Sequence, residues 1–266
     1  LFTVSYPYGT NEAFLANELP VLAKRFDKVV LFPLLGKGEA NPLPPGVEVR
    51  HVIADPYYVA SMTELMANLS SVLGLLRTTI ASVPSFGVLR RRWPDLRSRL
   101  RQALHRALEV KRVLGTEYDP QRVVLYSFWT ADWATALGLW RSMDPRVVFR
   151  SRMMGFDMYA HRAREGWQMF QRFQVQQAKG VHPISQDGLE HMRKAYPRHV
   201  EKFKLSYLAT VDHGPGAWEP NEALRVVSCS NLVELKRVHL IAEALSKCSI
   251  PVQWTHFGEG AERPAV

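Results

Sequence analysis

The sequence predicts an α/β protein built on doubly wound parallel sheets. Three observations carry that prediction. Short apolar runs rich in Val, Leu and Phe alternate with segments of helical period along nearly the whole chain. Such alternation implies crossover connections, with helices on both sheet faces. A ten-residue stretch dense in Gly, Pro and polar residues, 212–221, then separates a second strand–helix–strand unit from the first group.

Strands are predicted over 2–5, 28–33, 47–52, 123–128, 147–150, 181–185, 226–229 and 252–257. The first leads into a Tyr6-Pro7-Tyr8-Gly9-Thr10 turn and then a helix over 11–26, with Asn11 as N-cap. Its apolar stripe is Phe14, Leu15, Leu19, Leu22, Ala23 and Phe26. Between about 57 and 115 the pattern becomes helical. Met62, Leu65, Met66, Leu69, Leu73 and Leu76 form one stripe, and Leu96, Leu100, Ala103, Leu104, Ala107 and Leu108 another. Pro84 and Pro94 are expected to break this insertion into pieces. Its second half is dense in cations between Arg90 and Arg112, a basic helical face suited to an anionic membrane surface or to solvent. The reading divides the chain into a domain over 1–215, with the insertion at 57–115, and the start of a second over 216–266.

The net charge of +9 favours anionic partners. Nucleic acid is set aside, because no aromatic interleaving or nucleic-acid motif accompanies the cations. Cys229 and Cys248 fall in apolar elements and are expected to be buried, reduced thiols, which places the protein in the cytoplasm. No metal or other cofactor is expected: the nine histidines form no His-x-x-x-His pair or Cys/His cluster. No Gly-x-Gly-x-x-Gly fingerprint follows the first strand, which argues against a nicotinamide-dependent oxidoreductase. The apolar tract near 59–76 is interrupted by Ser61, Glu64, Asn68 and Ser70 and falls short of a membrane span.

In the second unit, Lys236 is predicted to stand where the helix begins. A cation beside free backbone N–H groups suits a phosphate, and Arg237 can share that role. Gly258-Glu259-Gly260 forms the turn after the next strand, which serves either a tight bend or close approach of backbone to a ligand.

Three segments together resemble bacterial glycosyltransferases of the two-domain GT-B fold, and most closely the retaining "group 1" (family four) type. They are the opening SYPYGTNEAFLANELPVLAKRFDKVVLFP, the internal SRMMGFDMY at 151–159, and VSCSNLVELKRVHLIAEAL with WTHFGEG at the end. The resemblance implies transfer of a sugar, with retention, from a nucleotide-sugar to a saccharide or lipid-linked acceptor in surface polysaccharide synthesis. It implies donor-phosphate contacts from Lys236, Arg237, Gly9, Thr10, Gly258 and Gly260. It places Glu12, Gly155 and Ser185 at the acceptor or sugar cleft and Asp157 in the catalytic segment. Glu12 can also act on the helix N-terminus by its charge, Ser185 can cap a helix, and Asp157 can orient Arg150 or Arg152.

Two departures stand out. Met154 occupies a position where relatives carry histidine, and Ser230-Asn231 replaces Gly-Arg. Relatives place a pair of glutamates well beyond the Gly-x-Gly turn, whereas only Glu262 follows Gly260 here. An incomplete donor site and weak or absent transfer are therefore expected of this polypeptide. The alternative is a non-catalytic or degenerate α/β nucleotide-binding module.

Overall fold

A computed structural model describes residues 1–9, 12–216 and 222–266. The chain forms two compact units, Leu1–Val211 and Asp212–Val266.

The first unit is a six-stranded, wholly parallel sheet in the order β3-β2-β1-β4-β5-β6. The strands are β1 (Phe2–Thr3), β2 (Val29–Pro33), β3 (Val47–Val49), β4 (Leu125–Ser127), β5 (Phe149–Met153) and β6 (Gly180–Pro183). This is the doubly wound order, and it reverses between β1 and β4. Alternation along β2 shows both faces covered. Val29 and Leu31 join one core with Tyr6, Leu15 and Leu19, while Phe32 joins another with Phe2, Leu104, Leu137 and Trp140.

The helices follow from these cores. Helix α1 (Leu15–Arg25) buries Leu15 and Leu19, four residues apart and so on one face. Phe14 and Phe26 of the predicted stripe are 47% and 42% exposed, because both fall outside the helix, Phe14 in the turns before it and Phe26 in extended backbone after it. The proposed cap Asn11 lies outside the described residues.

The insertion contains α2 (Met62–Ala67), α3 (Leu69–Ile80) and α4 (Phe86–Leu114). Ser61 and Glu64 make a reciprocal capping box that starts α2. Two expectations fail here, the first in part. The stripe at 62–76 faces the core only in part: Leu65 and Leu76 pack against it, Met62, Met66, Leu69 and Leu73 are exposed, and Val72, Leu75 and Thr79 are buried in their place. The contacts of α3 with α5 (Asp132–Met143) and α7 (Gln171–Gln177) select its buried face. Pro94 does not end a helix either; α4 runs through it with the loss of one backbone donor, its N-terminus capped by Ser85 accepting from Val88 N. The second stripe, from Leu96 to Ala107, is buried as predicted.

The cations of α4 do not form one solvated face. Arg92 and Arg106 are buried, the first bonded to Asp95 and the Arg164 carbonyl, the second to Asp132 and the Pro56 carbonyl. Arg101 donates to the Ala60 carbonyl, and Arg91 and Arg112 pair with Glu165 and Glu109. Arg90, Arg97, Arg99 and Lys111 remain as exposed cations.

The remaining helices of this unit are α6 (Gly155–Met158) and α8 (Gln186–Ala195). The second unit holds the parallel pair β7 (Leu224–Cys229) and β8 (Val252–Phe257), joined through α9 (His239–Ser246). Cys229 and Cys248 are both exposed, contrary to expectation. Cys229 occupies an outward position of alternating β7, and Cys248 follows the end of α9.

Candidate functional site

In an open parallel sheet, ligands bind beyond the carboxyl ends of the strands, at the point where strand order reverses. Here that edge carries the loops after β1, β4, β5 and β6, and with them Gly9, Glu12, Gly155, Asp157 and Ser185. Thr10 lies outside the described residues.

Glu12 is 1% exposed and ties two of these loops together. Its carboxylate accepts from Val4 N at 2.9 Å, Ser5 N at 2.6 Å and Tyr6 N at 2.7 Å. Trp129, in the loop after β4, donates its indole Nε1–H to Glu12 Oε1 at 2.6 Å. A buried carboxylate needs such donors, and four of them leave it little capacity to contact a ligand. Glu12 therefore shapes the loop after β1. The same loop contains a cis Tyr6–Pro7 peptide and is fastened to the loop after β2 by Asn41, whose Nδ2 donates to the carbonyls of Pro7 and Gly9. Gly9 takes φ +70°, a left-handed conformation that glycine adopts without steric cost.

Asp157 is likewise buried and committed to backbone. Oδ1 accepts from Met154 N at 2.6 Å and Oδ2 from Thr130 N at 2.8 Å, joining the loops after β5 and β4. Burial pushes its carboxyl up to about 7, against the opposing pull of those amides. Asp157 does not orient Arg152. That guanidinium, itself buried, pairs with Glu18 at 3.1 Å and lies over the Phe128 ring. Met154 is buried in the core beside Tyr6 and Leu15, which suits an apolar side chain and would strand an unbonded polar one. Ser185 Oγ accepts from Gly188 N at 3.0 Å and caps α8.

Trp129, Thr130 and Phe156 complete this edge and went unrecognised in the sequence. Phe156 is 48% exposed and meets Trp129 edge-on at 4.8 Å. Only the position of Trp129, directly after a predicted strand, could have singled it out. At the opposite, amino edge lies a cavity of about 770 Å³, lined in part by Glu18, Tyr126, Arg152 and His182. Burial raises the Glu18 carboxyl and lowers the His182 imidazole.

In the second unit, Lys236 closes a short 3-10 turn, Glu234–Lys236, and Arg237 follows with φ +48°. Helix α9 begins only at His239, so Lys236 precedes the helix and is not its first residue. The Lys236 and Arg237 amides are bonded to the Val233 and Glu234 carbonyls, at 2.8 and 3.1 Å. Both side chains are exposed, and neither forms an ion pair with a described residue.

Gly258 and Gly260, at φ +148° and +158°, lie against the loop after β7. A Cβ at either would stand 1.9 Å from the Ser230 carbonyl oxygen or 2.1 Å from that of Leu232. Pairing continues past the strands through Ser230 N to Phe257 O and Leu232 N to Glu259 O. Backbone contact between two loops is thus enough to require both glycines. His256 bonds Ser228 Oγ at 2.8 Å and the Ser230 carbonyl at 3.0 Å. The carbonyl only accepts, so Nε2 carries the proton and Nδ1 accepts from Ser228.

Among the described residues, no three His, Cys, Asp or Glu side chains are grouped as a metal site, and no helix is long and apolar enough to cross a membrane.

No protein-family model and no curated protein matches the sequence. Solved structures do. The crystal structure of Anabaena Alr3699/HepE with UDP and glucose is 14% identical, with a TM-score of 0.54 over 97% of this chain and 61% of HepE. HepE with UDP gives 12% identity and a TM-score of 0.50, over 99% of this chain and 70% of HepE. At these identities the likeness is one of fold. The chain spans less than two thirds of the length of the first of these structures.

Proposed function

We propose that this chain belongs to a two-domain glycosyltransferase that moves a sugar from a nucleotide-sugar to a saccharide or lipid-linked acceptor, with retention, in surface polysaccharide synthesis. The observation that carries the reading is the likeness of fold across 97% of the chain to HepE, whose crystals hold UDP and glucose. The reversal of strand order between β1 and β4 and the exposed cations before α9 support it. In this reading the 1–215 segment serves the acceptor and the 216–266 segment begins the donor domain. Lys236 and Arg237 offset charge on the departing diphosphate. Glu12 and Asp157 position loops and do not touch the reacting atoms.

Isothermal titration of UDP tests the donor side. Lys236→Ala is expected to weaken UDP binding about tenfold, the worth of one charge-assisted hydrogen bond. Unchanged affinity would remove Lys236 from the site, and no UDP binding by a chain carrying a complete second domain would overturn the reading. Met154 favours a second reading, in which the chain binds nucleotide without transferring sugar. Its burial leaves no imidazole at a position where relatives carry one.

The proposal includes a cytoplasmic enzyme resting on an anionic membrane surface. Exposed Met62, Met66, Leu69 and Leu73 recur at helical spacing, and exposed Arg90, Arg97 and Arg99 lie on α4. Co-sedimentation with phosphatidylglycerol vesicles at low salt is expected, and Leu69→Ser with Leu73→Ser should reduce it severalfold. Equal pelleting with neutral vesicles would count against it.

A further inference from the structure

We infer that the acceptor is an acidic saccharide, its carboxylate or phosphate held by Arg162 beside Gly155 and its sugar ring laid on Phe156. That this saccharide is the acceptor rests on the transfer reading; the binding site does not.

Most arginines around the loop after β5 have acidic partners. Arg152 pairs with Glu18, Arg164 with Asp95, Arg91 with Glu165 and Arg92 with Asp95. The Arg162 side chain is exposed and has no carboxylate or carbonyl partner among the described residues. Its guanidinium lies over the Tyr159 ring, 5.8 Å from the centroid, and against Gly155. A Cβ at 155 would stand 2.6 Å from Arg162 Nη1, so the absence of a side chain there leaves room for this placement. Asp187 accepts from the Tyr159 hydroxyl and forms no ion pair with Arg162. A planar fork of donors is thus held on an aromatic ring without an anion, a geometry that matches carboxylate or phosphate.

The surroundings extend the site. His161 and His191 flank the same ring, with centroids 5.4 and 4.9 Å away, and present further ring nitrogens. Phe156, adjacent to Gly155 in the chain, is half exposed and braced edge-on by Trp129, whose indole is in turn fixed by Glu12. A braced, exposed aromatic face suits the apolar face of a sugar ring. A neutral saccharide would meet the same platform and leave the guanidinium without a counter-charge.

Calorimetric titration of the full chain at low salt tests this with three probes: a tetrasaccharide of alternating glucuronate and N-acetylglucosamine, glucose 6-phosphate, and maltotetraose. One or both acidic probes should bind at least about tenfold more tightly than maltotetraose, and which of them does so separates carboxylate from phosphate recognition. Arg162→Gln should abolish the preference, and Arg162→Lys should retain part of it. Gly155→Ala, which pushes the guanidinium aside, should weaken acidic probes alone. Equal binding of acidic and neutral probes, no binding of either acidic probe, or a preference that survives Arg162→Gln would overturn the inference. UDP titrated in parallel separates the two claims. Acidic preference with no UDP binding, even by a chain carrying a complete second domain, removes the transfer reading and leaves this site standing, whereas UDP binding without acidic preference removes this inference alone.

Discussion

The two units use the same strand–helix–strand grammar and differ in what they bury. In Leu1–Val211, Leu31 of β2, Phe149 of β5 and Val181 of β6 are fully buried, and helices cover both sheet faces. In Asp212–Val266 no described residue of β7 or β8 is buried, and Leu232 and Val238 are the only buried apolar side chains among those described. Val227, Leu235 and Phe257 are 68%, 64% and 59% exposed. The contrast teaches that apolar composition is not burial: a parallel strand pair gains from its Val and Phe side chains only when other elements cover it. It also separates two kinds of site. The carboxyl edge of the first sheet is held by buried carboxylates on backbone amides, whereas the loops of the second unit are held by backbone pairing.

The largest expected effect breaks or upholds the contrast directly. Leu137→Ala, at a fully buried position of α5, should cost about 2–5 kcal/mol in urea unfolding, while Leu240→Ala, 45% exposed on α9, should cost less than about 1 kcal/mol. Equal costs would show that the second unit has a core of its own.

A smaller effect sharpens the account of the first edge. The Asp157 carboxyl rises from 3.8 to about 7 on folding. Below the lower value both states hold the proton. Between the two values the folded chain keeps a proton that the unfolded chain has lost. The stabilising contribution is therefore complete below 3.8 and is lost as pH rises through 7. Asp157→Asn should flatten that part of the stability–pH curve, measured by urea unfolding at a series of pH values. An unchanged slope would mean that Asp157 ionises as readily folded as unfolded.

Much of the fold was legible in the chain. Alternating short apolar runs and helical segments sufficed for a parallel α/β sheet, because local period is written in neighbouring residues. The core stripe of α4 and the capping role open to Ser185 were readable for the same reason. The candidate site was less so. Lys236 and Arg237 lie exposed before α9 and not at its first residue, because a 3-10 turn intervenes. Gly258 and Gly260 have a structural demand on them, approach to the loop after β7, which spacing alone does not reveal.

By itself, then, the sequence determined the class of fold and the loops that reach the sheet edge. Only the tertiary structure decided which charges are committed and which are free. Glu12 meets Trp129 across 117 positions of sequence, Arg106 is drawn inward to Asp132, and the stripe of Met62 and Leu69 turns to solvent. Hydrophobic period is a local property. The partner of a buried charge, and the face a helix turns inward, depend on distant segments that only packing brings together.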